Sequence, residues 1–175
     1  MKLKKISMLI AIVLVMGAIA QSALAQTQSA QNAQSVQTGQ NLVRFSGGIG
    51  DITTGATNTT VRGVAAAGQI WVIRDLAADV KQGGVIQVNG RGLLLGAGDA
   101  VGSNGNASVF ATLFCANDGN GQHSSDLAGV PLEENGDFRI DDTLSPAPPS
   151  TCTSPVLLIR TIGPGSWFAA GIPRE

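Results

Sequence analysis

Short apolar stretches separated by Gly, Asn, Asp, Ser and Pro run from Leu42 to the end of the chain. Within most of them, apolar and other residues alternate with a period of two, which puts successive side chains on opposite faces of a strand. In ASVFATLFC, Val109, Ala111, Leu113 and Cys115 point one way, and Phe110, Thr112 and Phe114 point the other. Both faces are largely apolar, as expected for a strand covered on both sides. QIWVIR (69–74) has the same character, with Ile70 and Val72 opposite Trp71 and Ile73. Leu42–Ser46 and Val61–Ala65 predict two more strands, and GGIGDITTGATNTT (47–60) predicts a loop between them. DLAADVKQ alternates through Leu76, Ala78 and Val80, which favours a strand over a helical turn. GVIQVNG puts Ile86 and Val88 on one face. Asn135-Gly136 lies between Leu132 and the pair Phe138 and Ile140, and predicts a hairpin because both turn residues tolerate positive φ. SPAPPS (145–150) cannot pair, and PVLLIRT and SWFAAGI predict two strands joined by the turn IGPGS.

These segments amount to about 7–9 short strands with turn signals every ~8–12 residues and no helical pattern, which is the mark of a sandwich or barrel. The expectation is an all-β chain, folded as a single β-sandwich of immunoglobulin-like or transthyretin-like architecture. Trp71 and Trp167 lie in apolar strands and are expected in the core.

The first residues change where this domain is expected to act. Lys2, Lys4 and Lys5 precede the uncharged, mostly aliphatic run from Ile6 to Ala20, and Ala23 and Ala25 supply an A-x-A site before Gln26. This predicts a secretory signal peptide over residues 1–25. A spanning helix needs about 20 apolar residues, and Gln21 and Ser22 interrupt the run, so no membrane span is expected after cleavage. Residues 26–41, rich in Gln, Ser, Thr, Ala and Asn, cannot bury enough surface to offset their ordering entropy, and predict a disordered leader. The domain is then expected over 42–175, in the periplasm or outside the cell.

Charge and cysteine usage narrow the function. The 11 basic residues, less Lys2, Lys4 and Lys5, leave 8 against 12 acidic ones. A negative chain with no basic stripe argues against nucleic acid and against anionic lipid as partners. Cys115 and Cys152 are the only cysteines and, in an oxidising compartment, are expected to form a disulfide. With His123 the only histidine, a zinc site is not expected.

Four groups of residues invite a chemical reading. Gly90, Gly92 and Gly96 in VNGRGLLLGAG approach the spacing of a dinucleotide-binding turn. The glycines that follow forbid the helix that would meet a pyrophosphate, and no acid stands at the required distance, so a strand bent at glycines is expected. His123, Ser124, Ser125 and Asp126 contain the residue types of a hydrolytic triad, but neighbours in sequence do not converge on one reacting atom. Asp118, Asn120 and Asp126 offer hard oxygen ligands for calcium without the spacing of an EF-hand loop. Asp141-Asp142, near Glu133-Glu134, is expected as a solvated face.

The runs GQIWVIRDL, GRGLLLGAGD, SVFATLFC, SDLAGVPLEENGDFRIDD, PVLLIR and GSWFAAGI give residues 60–173 a resemblance to small exported bacterial proteins of unknown function. The resemblance implies an exported single domain and brings no activity or site residue with it. The expected function is therefore that of a non-catalytic exported module, binding or structural, with a protein or other envelope partner and no cofactor. Two alternatives stand beside it: a carboxylate-dependent hydrolase using Asp99, Asp137 or Asp141, and a calcium-dependent adhesin-like domain using Asp118, Asn120 and Asp126.

Overall fold

The structure, a computed structural model, describes residues 39–52 and 60–174. The expected signal peptide (1–25) and residues 26–38 of the expected leader lie outside the described residues, as does part of the 47–60 segment. The chain is all-β. Its strands are β1 (Asn41–Gly50), β2 (Thr60–Val61), β3 (Val64–Ala65), β4 (Trp71–Val72), β5 (Asp75–Lys81), β6 (Val85–Arg91) and β7 (Leu94–Leu95). They continue with β8 (Ser108–Phe114), β9 (His123–Ser124), β10 (Val130–Pro131), β11 (Phe138–Thr143), β12 (Val156–Thr161) and β13 (Trp167–Arg174). The one helical element among the described residues is a 3₁₀ turn at Ala116–Asp118. No helix among the described residues is long and apolar enough to cross a membrane.

The main sheet is antiparallel throughout and runs β10-β8-β12-β13-β1-β5-β6-β11. β9 pairs with the same edge of β8 as β10 does, through Thr112↔Ser124 and Leu113↔His123, while β10 pairs through Val109↔Val130. The two ends of this sheet then meet. Ser124 and Ser145, just beyond β11, exchange both backbone hydrogen bonds, at 3.1 and 2.8 Å. The sandwich expectation is not met: one nearly closed, barrel-like sheet stands where two facing sheets were expected. A barrel of about eight strands has an interior just wide enough for side chains to fill. Here Phe45, Leu76, Val80, Val88, Leu113 and Ile159, from five different strands, share one buried cluster.

The alternation in the sequence explains which side chains point inward. β5 buries Leu76, Ala78 and Val80, and β6 buries Ile86, Val88 and Gly90. Gly90 is in the strand because the Phe138 ring of β11 lies across it; a Cβ there would stand 2.0 Å from the ring. The glycine-rich run is thus strand and bend, with β6 ending at Arg91 and β7 following at Leu94. β8 is apolar on both faces for two reasons. Val109, Ala111, Leu113 and Cys115 enter the interior, while Phe114 joins Leu158 and Trp167 in a second cluster roofed by Val64 and Ala66. Trp71 is buried and stacks on Phe168 at 3.9 Å between ring centroids, and Trp167 is equally buried.

Several local expectations need correction. Ser145, at the head of SPAPPS, does pair, with Ser124, and Val61–Ala65 is not one strand but parts of the β2–β3 hairpin. GGIG is strand and not loop: β1 continues to Gly50 through a register shift between Phe45 and Gly48 against β13. In QIWVIR only Trp71–Val72 pairs, with β7, and Val72 is exposed. Asn135-Gly136 does make a turn, with the Gly136 N–H on Glu133 O. Its flanking strands do not form a hairpin, because β10 pairs with β8 and β11 with β6. Cys115 and Cys152 form the expected disulfide, which is compatible with an exported protein.

Candidate functional site: a cleft across the seam of the barrel

The outer face of β8 and β12 is roofed at one end by the β2–β3 hairpin and open at the other. Phe110 and Arg160 are cross-strand partners at the open end, and the guanidinium lies over the ring at 5.2 Å from its centroid. Arg160 therefore covers an aromatic side chain that would otherwise face water. Its Nε donates to Gly165 O at 2.7 Å, and its Nη1 donates to Gln122 Oε1 at 2.8 Å and to Thr112 Oγ1 at 3.3 Å. All three acceptors are neutral. Arg160 forms no ion pair with any described carboxylate, and its Nη2 has no hydrogen-bond partner among the described residues. Burial pulls its pKa below the ordinary guanidinium value.

Around this floor stands a cleft of about 660 Å³. One wall is the β12–β13 turn at Gly163–Gly165, a second is Ser124–Leu127, and a third is Asp142–Ser145. The second and third walls come from opposite sides of the seam, so the cleft exists only because the sheet closes there. Asp142 holds the two sides together. Its Oδ2 accepts from the Asp126 N–H at 2.6 Å and its Oδ1 from the Thr143 N–H at 2.7 Å. The carboxylate thus stands in for a missing backbone rung beside the Ser124–Ser145 pair. Asp142→Ala removes the acceptor of both amides, and is expected to lower stability by about 1–3 kcal/mol, read as a lower midpoint in urea. Asp142→Asn, which keeps one acceptor oxygen, should lose less.

Ser124, Ser125 and His123, in or beside this cleft, are occupied by structural work. Ser125 Oγ accepts from the Ala111 N–H at 3.0 Å, while the Ser125 N–H donates to Ala111 O, so its hydroxyl completes the edge of β8. Ser124 Oγ bonds Thr112 Oγ1 at 2.9 Å. His123 is buried with Nδ1 at 3.0 Å from Pro146 O. Its Nε2 lies 2.8 Å from Asp118 Oδ2, an ion-pair contact out of line for a good hydrogen bond. Both ring nitrogens face acceptors, and neither reaches a serine.

The other acids go separate ways. Asn120 Oδ1 accepts from Arg62 Nη1 at 3.1 Å, Asp118 faces His123, and Asp126 lines the cleft with its Oδ1 on the Ala128 N–H. Among the described residues no three His, Cys, Asp or Glu side chains gather as a metal site. Asp137 Oδ1 accepts from the Gly92 N–H at 2.9 Å and faces Arg74 at 3.7 Å. Asp141 pairs with Arg139 on the exposed face of β11, and that hydrogen bond holds its carboxyl below the usual carboxylate range. Asp99 is exposed in the loop after β7.

Two charged residues escape a reading of the sequence. Arg160 has a faint signal, since the alternation of β8 and β12 sets an arginine outside beside an aromatic. Asp51 has none. It is fully buried at the end of β1, its N–H on Phe168 O and its carbonyl accepting from the Trp71 N–H. Neither carboxyl oxygen makes a hydrogen bond, the nearby Ala67 N–H being committed to Trp167 O, and burial raises the pKa to about 6. Between the unfolded value of 3.8 and about 6 the native state binds the extra proton. This residue's contribution is therefore most favourable below pH ~4, falls by about 2–3 kcal/mol as the pH rises to ~6, and is level above. Asp51→Asn should flatten that part of a stability–pH curve.

No family model matches the chain, and neither a curated protein nor a solved structure matches it.

Proposed function

We propose that the chain is an exported, non-catalytic binding module of the cell envelope or extracellular space, and that its ligand occupies the Arg160 cleft. The observation that carries this reading is the state of Arg160: a partly desolvated guanidinium, fixed by neutral acceptors, with no partner for Nη2 among the described residues at the floor of an open cleft. Ligand sites are commonly concavities of about 300–1,000 Å³ with a few fixed polar groups, and this one lies in that range. The engagement of Ser124, Ser125 and His123 in the barrel's own hydrogen bonds favours binding over nucleophilic chemistry. The amino-terminal pattern and the disulfide support export. The test is a titration of the ¹⁵N-labelled oxidised protein with small sugars, amino acids and short peptides, followed by amide resonances. Saturable shifts confined to Ser124–Leu127 and Gly163–Gly165, and lost in Arg160→Gln, are the expected result. Shifts elsewhere, or shifts that survive the substitution, would refute the assignment.

A further inference from the structure

We infer that the cleft takes an acidic sugar, a hydroxylated ring bearing one carboxylate; the inference rests on the reading of this cleft as a ligand site. The first argument is the donor count. A guanidinium has five N–H groups in a fixed plane, and those of Nε and Nη1 are held by Gly165, Gln122 and Thr112. The two on Nη2 remain. Charge-assisted hydrogen bonds are roughly twice as strong as neutral ones, so an oxyanion gains most from this position, and the desolvated cation gains the counter-charge that its neutral partners do not supply.

The second argument concerns the acids. Both oxygens of Asp142 are taken by backbone amides, and Asp126 Oδ1 is taken by Ala128. Asp126 Oδ2 is left as an acceptor, which asks for a donor on the ligand, and a sugar hydroxyl is one. The carboxylates of Asp126 and Asp142 line the same cleft as Arg160, and their repulsion of an anion grows with the anion's charge, which disfavours a multiply charged ligand. A single carboxylate surrounded by hydroxyls suits both the cation and the acids. Leu127 and Pro164 on the rim offer apolar contact for the C–H face of a ring.

The probes are glucuronate, glucose and acetate, titrated into the ¹⁵N-labelled oxidised protein. Glucuronate is expected to shift the amides of Ser124, Asp126, Gly163 and Gly165 saturably, with at least ten-fold higher affinity than glucose or acetate. Arg160→Gln should weaken glucuronate ten-fold or more. Asp126→Asn keeps the oxygen that caps Ala128, and should weaken glucuronate several-fold relative to acetate, whose own binding holds or tightens as a repelling charge is lost; it serves as the test if Arg160→Gln fails to fold. Equal binding of glucose and glucuronate at the same amides would overturn the acidic-sugar inference and leave the cleft as a binding site. No response of those amides to any of the three would overturn the inference, and a further failure with the amino acids and peptides would remove the cleft itself.

Discussion

Gly50→Ala is expected to destabilise the chain by about 3 kcal/mol or more, the upper range for forcing an atom into a packed interior. A Cβ on Gly50 would stand 2.1 Å from Trp71 O, 2.9 Å from Val72 Cα and 3.0 Å from Trp71 C. These are backbone atoms, so no rotamer change relieves the clash. Moving the Trp71 backbone would disturb the Trp71–Phe168 stack and the pairing of β4 with β7, and would pull on the bond from the Trp71 N–H to Asp51 O. Gly68→Ala is the control, since nothing lies within 4 Å of the added methyl; it should change stability by no more than about 0.5 kcal/mol. Urea unfolding of the two variants beside the parent reads both values.

Removing the disulfide is expected to cost about 4 kcal/mol. The bond joins residues 37 apart in sequence, and the chain-entropy relation for a loop of that size gives about this value. The enclosed segment carries β9, β10 and β11, which are the strands that bring the two ends of the sheet together. Without the bond, the unfolded chain gains freedom in the part of the molecule with the fewest backbone rungs. The double variant Cys115→Ala, Cys152→Ala suits the test, because Cys115 is fully buried and Ala leaves no orphaned hydroxyl. The expected result is a lower unfolding midpoint at an unchanged sheet signature in the far ultraviolet. A midpoint within experimental error of the parent would contradict the account.

Strand content, inward faces and the cysteine pair were legible in the sequence because each has a local cause. Period-two alternation in Leu76–Val80 and Val109–Cys115 decides which side chains turn inward whatever the neighbouring strand is. The closure was not legible. A sandwich and a barrel need the same alternation and the same turn spacing, and they differ in whether the last edge meets the first. Here that meeting rests on Ser124 and Ser145, 21 positions apart and polar, with Asp142 as a side-chain rung. Asn135-Gly136 misled for a related reason: a turn sequence specifies the bend, while the partners of β10 and β11 were decided by β8 and β6. The cleft was legible only in fragments. Asp126 was visible as an acceptor, but it was grouped with Asp118 and Asn120, which lie against other partners. Arg160 is 34 positions from Asp126 and acquires meaning only when β12 lies beside β8 and the seam closes.

Closure of the seam is the claim on which the cleft and its ligand depend, and amide hydrogen exchange at Ser124 and Ser145 tests it most directly. Each of these amides donates to the other residue's carbonyl. The account predicts that both are protected to within about 1–2 kcal/mol of the amides in β8 and β12, as members of one cooperative unit. Exchange of both at the rate of an exposed loop, with β8 and β12 still protected, would mean an open-edged sheet and no cleft across it.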